Sequence, residues 1–172
     1  PIQNIFLEEG AQVECCILNA SAGPIYIGKD AEVMEGCMLR GPLSLGAHTI
    51  VKMGAKIYGG TTIGPGCRVG GEITRSILLG NTNKAHEGYL GDAVLGEWCN
   101  LGADTNSSNL KNNYSEVKLW DYATEKFEKS GQQFVGLPLP GIERPQRDRD
   151  RQAGLDRLEP TPIVNDQEDA SA

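Results

Sequence analysis

Apolar residues recur every six positions along most of this chain, and that interval excludes most folds. Ile27, Val33, Leu39, Leu45, Val51, Ile57, Ile63 and Val69 follow one another six apart without a break. Four residues after each comes a second apolar or small residue: Ala31, Cys37, Leu43, Thr49, Ala55, Thr61, Cys67 and Ile73. The same period precedes this run at Leu7, Ala11, Val13 and Ile17, before a two-residue offset near Gly23-Pro24. It resumes at Tyr89, Leu95 and Leu101, followed by Ala93, Cys99 and Thr105. Six matches neither the helical period nor the alternation of a long strand. It matches short strands separated by tight turns, each strand pointing one large side chain inward. Three such units close a triangular coil, and stacked coils share one continuous core. From Leu7 to Thr105 the spacing predicts an all-β parallel β-helix of about five coils. An antiparallel sandwich with regular turns is the competing reading, and it does not account for an unbroken interval of six.

Glycine supports the same architecture. Gly28, Gly46, Gly64, Gly70, Gly96 and Gly102 each follow the large inward residue, where the backbone bends or coils approach closely.

Two stretches break the pattern. Between Val69 and Tyr89 the register is lost, and residues 80–88 read as a loop, the kind of place on a rigid scaffold where binding and chemistry concentrate. Val117–Tyr122 and Gln132–Gly136 read as the strands of a hairpin or arm with Trp120 and Phe134 as anchors, or equally as a segment whose aromatics plug the end of the core. Beyond Pro140 the chain is charged and without aromatic residues. Such a segment buries too little apolar surface to offset its ordering entropy, so it is expected to be disordered. The expected organisation is a β-helix domain over 1–113, a hairpin or arm over 114–140 and a charged tail over 141–172. The chain opens on Pro1 rather than Met, as the back part of a longer protein would.

A net charge of −7 with no basic cluster argues against a nucleic-acid partner. No apolar run is long enough to span a membrane. The five cysteines are odd in number and lack C-x-x-C spacing, which fits free thiols in a reducing cytoplasm rather than a disulfide framework or a zinc site. With only His48 and His86 present, a multi-histidine metal site is excluded.

His48 falls at an outward position of its repeat and reads as a surface residue. His86 lies in the 80–88 interruption beside Lys84 and Glu87, with Tyr89, Asn100 and the run Asn106–Asn113 just beyond. A histidine titrating near neutrality can take a proton from an attacking amine or hydroxyl. Asparagines suit sugar hydroxyls, and a lysine can hold a phosphate as a point charge. The same residues equally suit an ordinary polar surface loop.

Two motifs go further. Lys84-Ala-His86-x-x-Tyr89-Leu-Gly-Asp92, then Gly96-x-x-x-Asn100-Leu-Gly-Ala103-Asp-Thr105, resemble the acetyltransferase domain of the bifunctional glucosamine-1-phosphate N-acetyltransferase / N-acetylglucosamine-1-phosphate uridylyltransferase family. The likeness is to the sugar nucleotidyltransferase branch of Bacteroidetes-type bacteria in particular, and it covers about residues 4–137. It implies a left-handed β-helix and a homotrimer with sites between subunits. It also implies transfer of an acetyl group from acetyl-CoA to an amino-sugar phosphate. His86 matches the family's general base and Tyr89 its sugar-phosphate contact. Asn100 and Asn109 match its substrate-orienting asparagines, Ala103 the backbone beside the thioester, and Lys56 a phosphate-binding arginine. Two departures stand out. Thr74 falls where the family has a phosphate-binding lysine, although Arg75 or Lys84 can substitute. The family also continues its β-helix past residue 137 with coils that supply much of the CoA site, where this chain carries its charged tail. The residues therefore leave three readings: an N-acyltransferase, a structural β-helix that trimerises a sugar nucleotidyltransferase, and a module that binds sugar phosphates without chemistry.

Overall fold

A computed structural model describes residues 2–107, 110 and 113–139. The 141–172 tail and Asn109 lie outside the described residues.

The six-residue interval builds a three-sided solenoid of about five coils, with strands stacked in parallel. The first face stacks Ile5–Leu7, Ile25–Ile27, Leu43–Leu45, Thr61–Ile63, Ile77–Leu78, Ala93–Leu95 and Leu137–Leu139 in that order. The second stacks Gln12–Val13, Glu32–Val33, Ile50–Val51, Arg68–Val69 and Asn83–Lys84. The third stacks Ile17–Asn19, Met38–Arg40, Lys56–Ile57, Glu72–Thr74 and Tyr89–Gly91. Each strand is too short to be stable alone, but its backbone groups bond to the coils above and below. Burial of each inward Leu or Ile contributes roughly 1.5–3 kcal/mol. Every inward position of the unbroken run from Ile27 to Val69 is buried, as is its small companion four residues on.

Register corrects the expectation at both ends of that run. Ile17 pairs with the exposed Met38 and is itself 63% exposed, so Leu18, paired with Leu39, is the inward residue of the first coil. The two-residue offset is thus split, with one residue lost before Leu18 and three gained after it. Further along, Ile73 pairs with Leu90, which is fully buried, so Tyr89 faces outward.

The register is not lost between Val69 and Tyr89. Thr62 pairs with Ile77 where Thr61 pairs with Leu43 one coil earlier, so this coil is three residues shorter and the stack continues. Asn83–Lys84 pairs with Arg68–Val69, which makes the middle of the expected loop a strand. The period failed because two successive corners were shortened, by two residues between Val69 and Ile73 and by one between Ile73 and Leu78, and the strands on either side remain.

Residues 110–134 form a separate compact unit. Lys118–Asp121 pairs antiparallel with Lys126–Lys129. The return strand is therefore not Gln132–Gly136, and Trp120 packs edge-on against Phe127, with centroids 5.0 Å apart, rather than standing as an anchor with Phe134. Phe134 bridges Leu110, and Leu137–Leu139 rejoins the first face of the solenoid beside Ala93–Leu95.

Candidate functional site

His86 sits on a corner that is built by a mismatch between coils. Below it, Val69 is joined to Glu72 by the dipeptide Gly70-Gly71, while Lys84 is joined to Tyr89 by the longer Ala85-His86-Glu87-Gly88. The longer corner overhangs the shorter one at close range. A Cβ on Gly70 would lie 2.3 Å from the Ala85 carbonyl oxygen, so only glycine fits there.

Above it, residues 101–107 lie over the same corner. The N–H of Asp104 donates to the Glu87 carbonyl (3.1 Å) and that of Leu101 to the Asn83 carbonyl (2.9 Å). Asn106 Oδ1 accepts from the Tyr89 N–H at 2.7 Å, and the Ser107 N–H donates to the Tyr89 carbonyl at 2.8 Å. Three consecutive corners are therefore tied together, and the exposed His86 lies on the middle one.

The structure brings several of the expected residues onto this part of the prism. Ala103 lies on the exposed turn directly over the His86 corner. Asn100 is exposed beside Asn83, whose amide nitrogen donates to Asn100 Oδ1 at 2.6 Å. Lys56 and Tyr89 share the outward side of the third face, each in register with Glu72 between them. His48 is elsewhere, exposed, with Nδ1 3.8 Å from an Asp30 carboxylate oxygen. Among the described residues, no group of three or more His, Cys, Asp or Glu could hold a metal ion.

Lys84 requires a correction. Expected as a loop residue reaching for substrate, it is 2% exposed and occupies an interior position. It continues the column of Val33, Val51 and Val69. Its ammonium donates to the His86 carbonyl at 2.6 Å and to the Gly70 carbonyl at 3.1 Å. Burial pushes its pKa down, and the nearby Glu87 opposes that shift. The signal was available in Thr82-Asn-Lys84, which repeats the small-x-large form of Thr49-Ile-Val51 and Cys67-Arg-Val69. A lysine at the large position hid it.

Glu72 was also missed, because only strand register places it between Lys56 and Tyr89. Arg75 and Asp92 form a bidentate pair at a neighbouring corner, with Nε–Oδ1 at 2.6 Å and Nη2–Oδ2 at 2.8 Å. Asp92 pushes the guanidinium's pKa up. Both residues have positive φ, and nothing in a linear reading couples two corners that lie 17 residues apart.

Sequence comparison finds curated relatives over about half of the chain. The chain is 32% identical over 97 residues to the bifunctional protein GlmU of Synechococcus elongatus, covering 53% of this chain and 22% of that protein. It is 38% identical over 82 residues to GlmU of Rippkaea orientalis, covering 46% and 16% respectively. Against GlmU of Stenotrophomonas maltophilia the identity is 37% over 87 residues, covering 49% and 19%. The solenoid fits a GlmU-type hexapeptide-repeat domain. The chain spans about a fifth of the length of the curated GlmU relatives it matches. No family model matches the chain. No helix among the described residues is long and apolar enough to cross a membrane.

Proposed function

We propose that this chain transfers an acetyl group from acetyl-CoA to the amine of an amino-sugar phosphate of the glucosamine 1-phosphate kind. The reading rests chiefly on one observation: the Ala103–Asp104 turn is fixed over the His86 corner by the Asp104-to-Glu87 hydrogen bond. A base and a strip of exposed backbone then face the same solvent. In the step, the sugar nitrogen attacks the thioester carbonyl carbon as His86 takes the amine proton. An N–C bond forms, the C–S bond breaks, and the CoA thiolate leaves and is protonated. The backbone N–H of Ala103, beside the Asp104 N–H that ties down the turn, stabilises the oxyanion. Lys56 and Tyr89 hold the phosphate and Asn100 orients the sugar. Asn109 keeps its expected role as a second orienting asparagine.

Acetyl-CoA is the donor, and a cytoplasmic homotrimer is the working assembly. Two outward apolar pairs on the first face, Phe6 with Tyr26 and Ile77 with Val94, favour association of copies; they are exposed on one line of register, with Ser44 and Thr62 between them. A native mass of three chains checks the assembly.

Incubation with acetyl-CoA and glucosamine 1-phosphate, followed by mass spectrometry of the acetylated sugar phosphate, tests the activity. A positioned base contributes about 10²–10⁴-fold, so His86→Ala is expected to lower turnover at least about tenfold. Equal turnover in His86→Ala would remove His86 as the base. A folded trimer yielding no product would leave the solenoid as a structural trimerisation element.

A further inference from the structure

We infer that Lys84 is a positioning residue: its buried ammonium clamps the corner that carries His86. The inference rests on the reading of His86 as the base. An interior hexapeptide position is ordinarily apolar, and the coils below fill this one with Val33, Val51 and Val69. Placing an ammonium there is costly unless it is hydrogen-bonded. Here it is bonded to two carbonyls that lie outside the strands, Gly70 on the short corner and His86 on the long one.

The mismatch between those corners explains the need. With two residues between Val69 and Glu72 and four between Lys84 and Tyr89, the ladder is in register at both ends of the corner, and the two extra residues of the longer one have no backbone counterpart below. Elsewhere a coil's corner is held by N–H donors of its neighbour, as Gly46 N–H bonds the Ile63 carbonyl at 2.7 Å. At this corner the same bonds close both ends, Gly70 N–H to the Lys84 carbonyl at 2.8 Å and Glu72 N–H to the Gly88 carbonyl at 3.2 Å, and a side chain from inside the prism adds a donor to the His86 carbonyl between them. Lys84 reaches outward from the core and fixes the carbonyl of the very residue whose imidazole faces solvent. Asp104 fixes the next carbonyl, that of Glu87, from above. The His86 backbone is thus held by a side chain from within and by its neighbour's bond from the coil above. Precision of this order matters because a displacement of about 1 Å at a reacting group can cost 10²-fold in rate.

Lys84→Met keeps the buried aliphatic stem and removes the donors, so it is compared with the unmutated protein and with Lys84→Gln, which retains an N–H donor on a shorter arm. The expected result for Lys84→Met is a fall in kcat of at least about tenfold with KM for both substrates within about twofold. Amide exchange at Gly70, Glu72 and Asp104, whose N–H groups bond the Lys84, Gly88 and Glu87 carbonyls, is expected to accelerate by a similar factor while the strands of the first face are unaffected. Lys84→Gln is expected to recover part of both losses. Unchanged exchange at those three amides in a folded Lys84→Met protein overturns the inference, whatever the activity. If the unmutated protein makes no acetylated product, the acyltransferase reading fails, while the exchange measurement still decides whether Lys84 holds the corner. Should neither variant fold, NMR of the unmutated protein decides. Lys84 Nζ protons in slow exchange and coupled to the His86 carbonyl carbon support the clamp, and freely exchanging ammonium protons overturn it.

Discussion

Burial of the Lys84 ammonium links the titration of one residue to the stability of the whole chain. Desolvation holds its folded pKa below the ordinary 10.5, with Glu87 pulling weakly the other way. Below the folded value both states carry the proton, and the cost of burying the charge is felt in full. As pH rises through the window between the lowered value and 10.5, the folded state releases its proton first, so the unfolded state binds more protons and stability rises. The stability of the unmutated protein relative to Lys84→Met is therefore expected to increase with pH in that window. Paired urea denaturations across the range check this, and a constant difference would place the ammonium in contact with water. At this scale the sequence is also most misleading. Lys84 was read as a surface residue because its chemistry is that of a surface residue, and only the small-x-large spacing around it pointed inward. His86, Asn100 and Ala103 were legible because a short motif keeps them close together in the chain.

Within a coil, strands and corners behave differently. The strands were legible wherever coil length held constant, since a constant period puts the same residue inward on every turn. They became illegible where a corner changed length, as before Leu18 and after Val69, because a linear count carries the error forward although the stack resets it. The hairpin partner was missed for another reason. Lys126–Lys129 alternates apolar and charged residues only weakly, and its pairing is set by the turn before it, where Glu125 takes positive φ. Corners differ in what they tolerate. A Cβ at Gly46 would lie 2.6 Å from the Pro65 backbone nitrogen, whereas at Gly54 it would meet nothing within 4 Å and would only strain a φ of +71°. Gly46→Ala is expected to cost about 3 kcal/mol, because backbone rather than a flexible side chain must move. Gly54→Ala is expected to cost about 1–2 kcal/mol. Urea midpoints rank the two, and the reverse order would show that close approach between coils is not what selects glycine at position 46.

Over the whole solenoid, stability is a sum of contacts between neighbouring coils, so it need not be uniform. The first coil is the weakest by burial. Leu7 is 54% exposed, and Ile5, Ala11, Val13 and Leu18 are only partly buried against the core. Hydrogen exchange is expected to be faster for the amides of Ile5–Leu7 and Ile17–Asn19 than for those of Leu43–Leu45 and Ile57 by at least about tenfold, reflecting opening from that end. Uniform protection would mean that the coils open only together. The short coil between Thr62 and Ile77 also separates two properties that most folds couple. The inward columns carry register from level to level regardless of how many residues connect them. A deletion or insertion at one corner alters what that level presents to solvent and leaves the next level where it was. Such a scaffold lets evolution, or a designer, rewrite its chemistry one storey at a time.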